Sequence, residues 1–304
     1  MKKISGLLEL VEIQSTPASI FPVLMGLFYA IYRYNAFNIV NTILFFIGAV
    51  WFHMAVNVND NYQDLIHANK SNVKEFTNGT NDPIGKHHLD KSNVKKLLIF
   101  MLLFFVVIGI ILVIRTGIPL LIMGIICFLI GYFYAAGPRP ISTTPFGELF
   151  SGIAMGLMIF MIGVYVNVFT LVKVDWNFIY PIIFSSLLPI CYIANMMLAN
   201  NICDIDEDLK LHRKTICFYI GKINSLHLYT FLNILGFVGI VISVILRYLP
   251  VLTLFTLLAI PVVYKNNKKF YKRQDKDLDF GMSVQNLLLT TALQTLTMGI
   301  GILI

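Results

Sequence analysis

The chain of 304 residues is 57% hydrophobic and only 13% charged, with a mean hydropathy of +0.77 and a net charge of +7. Soluble domains carry about 25% charged residues, so this composition excludes an ordinary soluble domain and indicates a polytopic membrane protein. A modest positive charge is usual for a protein held against an anionic inner leaflet, and it gives no support to nucleic-acid binding.

Nine apolar stretches have lengths near the roughly 20 residues that a helix needs to cross a bilayer. They recur along the whole chain, and no long linker or second composition separates them. We therefore expect one domain, 1–304, folded as an all-α bundle of nine transmembrane helices. The predicted spans are about 16–32, 38–58, 97–114, 117–136, 149–171, 178–199, 226–246, 249–264 and 285–304.

The connecting segments divide the basic residues unevenly. If the N-terminus is cytoplasmic, the inner segments contain 19 of the 23 Lys and Arg residues, and the outer loops contain only Arg33, Arg115, Lys173 and Arg247. Because cytoplasmic loops are enriched in Lys and Arg, this pattern predicts a cell-membrane protein with its N-terminus inside and its C-terminus outside. The acidic residues also favour the inner side, which indicates a functional cytoplasmic face.

The opening sequence, MKKISGLLELVEIQ, is not typical of a cleavable signal. Glu9 and Glu12 interrupt what would be its apolar core. We expect it to form a short amphipathic helix that lies on the inner membrane surface.

The second predicted span ends in the acidic sequence NVNDNYQD, residues 57–64. On a helix, Asp60 and Asp64 are four residues apart and share one face, with Asn57 and Asn61 beside them. A charge within a bilayer costs at least a few kcal/mol, so such residues usually mark a function.

The sixth predicted span ends in a second acidic sequence, NNICDIDED, residues 200–208. Asp204 and Asp208 repeat the four-residue spacing, and Asn200 and Asn201 lie one turn earlier on the same face. Both aspartates lie 144 positions after their counterparts in the first motif, which favours a duplicated four-helix unit. Asp206 and Glu207 point elsewhere, and we expect them to be solvated.

Carboxylate and amide oxygens in this arrangement are ligands that Mg²⁺ prefers, and Mg²⁺ fills its remaining positions with water and phosphate oxygens. The pattern therefore indicates a site for a metal-bound diphosphate at the inner mouth of an apolar bundle. A substrate with a lipid tail, such as a prenyl diphosphate, fits such a site. Helix capping with nearby lysine partners is the plainer alternative, but it requires neither the duplicated spacing nor the paired asparagines.

Three segments carry a resemblance to a known family, the UbiA superfamily of intramembrane prenyltransferases. Residues 200–221, NNICDIDEDLKLHRKTICFYIG, are similar to the pattern NNxRDxxxDxxxxKRTLxxxLG of its menaquinone-pathway branch, the 1,4-dihydroxy-2-naphthoate polyprenyltransferases. Residues 137–152, GPRPISTTPFGELFSG, and 16–26, TPASIFPVLMG, resemble two further segments. The resemblance implies nine helices around a central cavity that opens to the cytoplasm. It also implies Mg²⁺-dependent transfer of a polyprenyl group from polyprenyl diphosphate to an aromatic acceptor.

The resemblance also implies roles for individual residues. Asp64, Asp204 and Asp208 match metal ligands of the family, while Asp60 and Asn61 stand in swapped order relative to the usual pattern. We therefore expect Asp60, Asp64, Asp204 and Asp208 to be the catalytic, metal-binding carboxylates. The expected diphosphate-binding residues are Asn57, Asn61, Asn200, Asn201, Arg139 and Lys214.

Three departures from the family pattern bear on the acceptor. Cys203 replaces the usual Arg, and Glu12 and Gln14 stand where the first helix normally offers basic residues. These changes remove cations that could hold an acidic acceptor. If the acceptor is dihydroxynaphthoate, the family chemistry implies loss of its carboxylate and formation of demethylmenaquinone; another quinone precursor or a haem is the alternative.

Two further features have open interpretations. The long polar loop at about 65–95 could act as a lid over the diphosphate, with Lys70, Lys74 and Lys86 contributing charge. Glu148 could either favour a helix N-terminus electrostatically or orient a substrate.

An ion-coupled secondary transporter is the rival from another class, because intramembrane acids can also bind coupling ions. Transporters place such acids near the bilayer midplane on interrupted helices. Here the acids lie at helix ends, and we expect the helices before them to be unbroken, which favours the enzyme.

Overall fold

The computed structural model describes residues 2–71, 83–210 and 213–304, with side chains from Ile4 to Ile66 in the first range. Within these ranges every regular element is a helix. Residues 72–82 of the expected lid, including Lys74, and the side chain of Lys70 lie outside the described residues. In chain order the α-helices are α1 (Lys2–Leu10), α2 (Pro17–Tyr34), α3 (Ile39–Ser71), α4 (Pro83–Lys86), α5 (Lys91–Thr116), α6 (Ile118–Ala135), α7 (Gly147–Val168, with a π-helical stretch at Gly152–Met158), α8 (Trp176–Ser185), α9 (Leu187–Cys203), α10 (Ile205–Lys210), α11 (Ile216–Ile245), α12 (Ile260–Lys272, preceded by a 3-10 helix at Val251–Ala259) and α13 (Phe280–Gly301).

A helix lies at each of the nine predicted spans. By length and composition, six of the described helices can each cross a membrane. They are α2 with the turn before it from Ile13, α3 as far as Ile66, α5, α6, α7 and α11, and the bent pair of α8 and α9 makes a seventh. The eighth predicted span is a 3-10 helix that continues into the lysine-rich α12. The ninth, α13, has low hydropathy because it contains polar side chains such as Thr290 and Gln294. These side chains are buried inside the bundle. The count of nine spans therefore stays a prediction.

The expectation of an unbroken sixth span is wrong. The chain bends by 57° between α8 and α9, at Ser186. Pro189 has no amide hydrogen to donate to the carbonyl oxygen of Ser185, four residues earlier. The Gln294 side chain donates to that oxygen instead, at 3.1 Å, so the break is stabilised by a partner from α13.

Helix α9 is the buried centre of the second half of the molecule, where it packs against α7, α11 and α13. The approach of α7 is close, because a Cβ atom on Gly156 would lie only 2.6 Å from the backbone of Ile190. Small residues allow such backbone contact between membrane helices. This contact fixes the start of α7 beside the end of α9, where the second acidic motif lies.

The N-terminal helix α1 packs against α3 and α4. Glu9 accepts hydrogen bonds from Lys86 and His87, both at 2.7 Å, while Ile4 and Leu7 present an exposed apolar surface. The predicted short amphipathic helix is therefore present, and an ionic clamp attaches it to the segment before α5.

Candidate diphosphate site

The first acidic motif lies on the last turns of α3, which runs through it without a break. The amide group of Asn57 donates to the carbonyl oxygen of Val11 and to the Ser15 hydroxyl, both at 3.0 Å. The amide group of Asn61 donates to the carbonyl oxygen of Leu10 at 3.2 Å. These two asparagines thus hold the N-terminal segment against α3.

Glu12 adds a third carboxyl group beside the first motif. It is half-buried and has a left-handed backbone with a φ of 49°. Burial raises the pKa of the Glu12 carboxyl, a hydrogen bond with Asn61 opposes the rise, and the charge of Asp64 adds to it. The sequence identified Glu12 only as a missing cation, whereas the structure places it next to a predicted metal ligand.

The second acidic motif crosses the end of α9 and continues into α10. The amide of Asp204 donates to the Asn200 carbonyl oxygen at 3.0 Å, and the amide of Asp208 donates to that of Asp204 at 2.8 Å. The helical repeat is kept, so the two carboxylates share a face as expected. Asp206 and Glu207 are exposed, as the spacing predicted.

Glu148, in the first turn of α7, is buried against the second motif with 6% of its surface exposed. Its Oε1 accepts a hydrogen bond from the Asn201 amide at 2.7 Å. Among the described residues, nothing donates to its buried Oε2. Glu148 therefore does more than favour a helix terminus, because it fixes the orientation of a motif residue.

Arg213 joins the two motifs. Its Nη2 lies 3.7 Å from Oδ1 of Asp64, and its Nη1 lies 3.8 Å from Oδ1 of Asp208. The duplicated aspartates of α3 and α10 therefore converge on one guanidinium group. The sequence identified Arg213 only as part of a basic loop, because its position between the motifs depends on the packing of distant helices.

Lys276 is the cation that contacts Asp204, as Arg213 contacts Asp64 and Asp208. Its ammonium group donates to Oδ2 of Asp204, which also accepts from the Asn200 amide at 3.2 Å. No pattern in the sequence indicated that Lys276 lies at the site, since it belongs to a basic run typical of membrane topology signals.

The two expected diphosphate cations, Arg139 and Lys214, lie in neighbouring segments. The backbone amide of Lys214 donates to the Thr143 carbonyl oxygen at 3.1 Å, which ties the segment after α6 to the segment before α11. Both side chains are exposed, and Nζ of Lys214 lies 5.4 Å from the ring centroid of Phe218.

A cavity of about 300 Å³ lies between α10 and the start of α11. Asp208, Arg213 and Lys222 line it together with apolar side chains and Gly221. Gly221 has a φ of 75°, a conformation that L side chains rarely adopt, and it kinks α11 there. The first motif does not line this cavity, so the expected central cavity between the motifs stays a prediction.

The carboxylate oxygens of the site suit a hard cation that is bound by protein and phosphate oxygens together, rather than by protein side chains alone. In the described part of the chain, no three His, Cys, Asp or Glu side chains form a group that could hold a metal ion. Mg²⁺ usually takes only one or two protein carboxylates and completes its shell with water and phosphate oxygens. Oδ2 of Asp208 is buried, and no described residue donates to it. Burial raises the pKa of Asp208 to about 6, against the opposing charge of Arg213. An unsatisfied buried carboxylate oxygen is costly unless it gains a partner, so these residues fit a magnesium ion.

Comparisons with known proteins show the family and the fold of the chain. The model of the UbiA prenyltransferase family matches residues 19–287. A 1,4-dihydroxy-2-naphthoate octaprenyltransferase from Bacillus subtilis (strain 168) is 29% identical over 214 residues, which cover 70% of this chain and 65% of the relative. The chain thus spans just under two thirds of that relative's length.

Two solved structures share the fold along nearly the whole chain. A UbiA homolog from Archaeoglobus fulgidus, bound to GPP and Mg²⁺, is 12% identical with a TM-score of 0.69, covering 98% of this chain and 100% of the other. The apo structure of a UbiA homolog from Aeropyrum pernix K1 is 16% identical with a TM-score of 0.71, covering 96% and 98%.

Proposed function

The chain belongs to the UbiA prenyltransferase family, and we propose that it is a multi-pass membrane enzyme that transfers a polyprenyl group from polyprenyl diphosphate to an aromatic acceptor. The observation that carries this proposal is the convergence of Asp64 and Asp208, from two distant motifs, on Arg213. A carboxylate face and a basic face meet there beside a cavity, which is the arrangement that a metal-bound diphosphate requires.

Mg²⁺ is the proposed cofactor, held by oxygens of Asp60, Asp64, Asp204 and Asp208. When bound, it would neutralise the diphosphate and make it a better leaving group. The proposed phosphate-binding side chains, some of which also orient the carboxylates, are Asn57, Asn61, Asn200, Asn201, Arg139 and Lys214.

The proposed reaction breaks the bond between the allylic carbon and the diphosphate oxygen, and diphosphate leaves with the electron pair. A ring carbon of the acceptor forms the new carbon–carbon bond. The apolar helices would house the isoprenoid and exclude water from the developing cation.

The acceptor that we favour is 1,4-dihydroxy-2-naphthoate: the new bond forms at the ring carbon that loses its carboxylate as CO2, and the product is demethylmenaquinol, the reduced form of demethylmenaquinone. The similarity to a 1,4-dihydroxy-2-naphthoate octaprenyltransferase from Bacillus subtilis supports this choice. The carboxyl group of Glu12 lies beside Asp64 and disfavours an acidic acceptor, compared with the basic residue usual there in the family. A different aromatic acceptor is therefore the alternative.

We propose that the whole chain is one domain, with nine spans, a cytoplasmic N-terminus and an external C-terminus, and that the site opens to the cytoplasm. The connecting segments on one side of the predicted spans contain 19 of the 23 basic residues, and such segments are usually cytoplasmic, which supports this orientation. A transporter is the second candidate, because the bend at Ser186 interrupts a spanning segment. Against it, the 17 residues of α9 separate this break from Asp204.

The test is prenyl transfer by the purified protein, with a long-chain prenyl diphosphate and 1,4-dihydroxy-2-naphthoate, in Mg²⁺ or in EDTA. Asp208→Asn is the test variant, and Glu207→Gln, an exposed neighbour, is the matched control. We expect product that requires metal, disappears in Asp208→Asn and persists in Glu207→Gln. Metal-dependent binding of the diphosphate without a naphthoquinone product would contradict the acceptor alone. Absence of both binding and transfer would contradict the enzyme and favour the transporter.

A further inference from the structure

Lys276 is held in place by the turn that connects α12 to α13. The guanidinium group of Arg273 donates to both carboxylate oxygens of Asp279, at 2.8 and 3.2 Å, and Asp279 is 2% exposed. Oδ1 of Asp275 accepts from the backbone amides of Asp277 and Leu278, each at 3.0 Å. These contacts surround Lys276, so its backbone position is fixed by a hydrogen-bonded turn.

The end of the Lys276 side chain lies in the second acidic motif. Its ammonium group donates to Asp204, which has 12% of its side-chain surface exposed, while half of the lysine side chain stays in solvent. Arg213 makes the equivalent contacts to Asp64 and Asp208 from a different segment. Three carboxylates that the proposed function assigns to a metal are thus contacted by two cations of the chain itself.

A divalent cation at these carboxylates has to compete with both side chains. A bound diphosphate removes this competition, because its oxygens are alternative acceptors for the ammonium group of Lys276 and the guanidinium group of Arg213. We propose that Lys276 is a further diphosphate-binding residue, which exchanges Asp204 for a phosphate oxygen when the metal and the diphosphate bind together. This inference rests on the proposed function and deepens it.

The consequence is a coupling between the two ligands. Each ligand raises the affinity of the protein for the other by the same factor, because diphosphate draws Lys276 and Arg213 away from the carboxylates that the metal needs. In the absence of diphosphate, Lys276 and Arg213 stay on the carboxylates and weaken the binding of the metal.

Lys276→Met tests the proposal in two binding measurements on the full-length protein in detergent. Binding of Mn²⁺ alone, followed by the electron paramagnetic resonance of the free ion, should tighten about 5-fold, because a competing cation is gone. Binding of farnesyl thiodiphosphate, an unreactive analogue, at saturating Mg²⁺ should weaken about 10-fold, since a charge-assisted hydrogen bond is lost. Opposite signs in the two measurements are the expected result.

Lys272→Met is the matched control, since Lys272 is an exposed residue of the same basic run and neither affinity should change. Lys276→Arg should restore binding of the analogue by keeping the charge. If both affinities of Lys276→Met fall together, or neither changes, the exchange of partners is wrong. If the unmodified protein binds neither Mn²⁺ nor the analogue, the proposed function itself fails, and the two failures are therefore distinguishable.

Discussion

The last aspartate of the first acidic motif lies on an uninterrupted helix and is open to solvent, whereas the last aspartate of the second motif follows a helix end and is buried. Asp64 has 55% of its side-chain surface exposed and Asp208 only 8%. In the first motif the asparagine amides donate to the backbone of the N-terminal segment; in the second, Asn201 donates to the buried carboxylate of Glu148. The shared spacing thus reproduces the carboxylate face, while the asparagines beside it have different partners.

The burial of Asp208 carries a desolvation cost that the exposed Asp64 does not share. Burial raises the pKa of Asp208 to about 6, which means that the ionised group destabilises the fold. Retention of an unfavourable buried charge is typical of a functional site. Three predictions test this contrast between the motifs, and a fourth tests the clamp that holds α1.

The largest expected effect belongs to Asp208→Asn. We expect prenyl transfer to fall by more than about 100-fold, because loss of even an outer-shell partner of a metal costs about 10–100-fold. A carboxyl group whose pKa rises on folding from 3.8 to about 6 lowers stability as the pH increases through that interval. The variant should therefore melt at or above the wild-type temperature at pH 7.5 without metal. A lower melting temperature, measured in detergent, would show that Asp208 is structural.

The second expected effect concerns the buried pair of Asn201 and Glu148. Asn201→Ala leaves the Glu148 carboxylate without a hydrogen-bond donor in a buried place, which should lower the free energy of unfolding by about 1–3 kcal/mol. The melting temperature of the variant measures the loss. The double variant Asn201→Ala, Glu148→Leu removes the buried charge as well and should recover part of the stability. If the double variant is less stable than Asn201→Ala, the pair does not act as described.

A smaller effect is expected for the equivalent asparagine of the first motif. Asn61→Ala removes a hydrogen bond to the carbonyl oxygen of Leu10. The Asn61 side chain is half-buried, so water can enter the space that it leaves and replace the amide, and the expected loss is about 0.5–1.5 kcal/mol. Limited proteolysis near residues 10–15 should be faster in this variant. A larger loss than in Asn201→Ala would reverse the proposed difference between the two motifs.

The smallest effect is expected at the clamp that holds α1. Contacts with Lys86 and then with His87 lower the pKa of Glu9 below its ordinary value of 4.5. Because the side chain is 35% exposed, the pairs should contribute only about 0.2–1 kcal/mol. This contribution is present above the unfolded pKa and is lost as the pH falls through the lower folded pKa. The difference in melting temperature between wild type and Glu9→Gln should therefore be visible at pH 7 and disappear in acid, once the pH is below the folded pKa; a difference that persists there would contradict the ionic origin.

Much of the fold and half of the site could be predicted from local patterns. Long apolar runs indicated the helices, and the four-residue spacing indicated which aspartates share a face. Pro189 lies inside the predicted span 178–199, where a proline kinks a helix, so a bend near Ser186 could have been predicted. Its stabilisation could not, because the compensating Gln294 lies far along the chain. The polar interior of α13 likewise depends on its neighbours.

The cations at the site could not be predicted for a related reason. Arg213 and Lys276 belong to basic loops whose composition is explained by membrane orientation alone. Their contacts with aspartates depend on how distant segments pack, and no spacing in the sequence encodes this. Glu148 and Asn201 were both identified in advance, but the hydrogen bond between them was not predicted.

The central claim is that the two motifs form one site for a metal-bound diphosphate. The most direct measurement is the affinity for farnesyl thiodiphosphate at saturating Mg²⁺ in the wild type, Asp64→Asn, Asp208→Asn and the double variant. Residues that act on one ligand give effects that do not add, whereas independent sites give effects that do. We predict that each single variant weakens binding at least about 10-fold and that the double variant is little weaker than the weaker single variant. Full additivity, or unchanged binding in Asp64→Asn, would contradict a shared site.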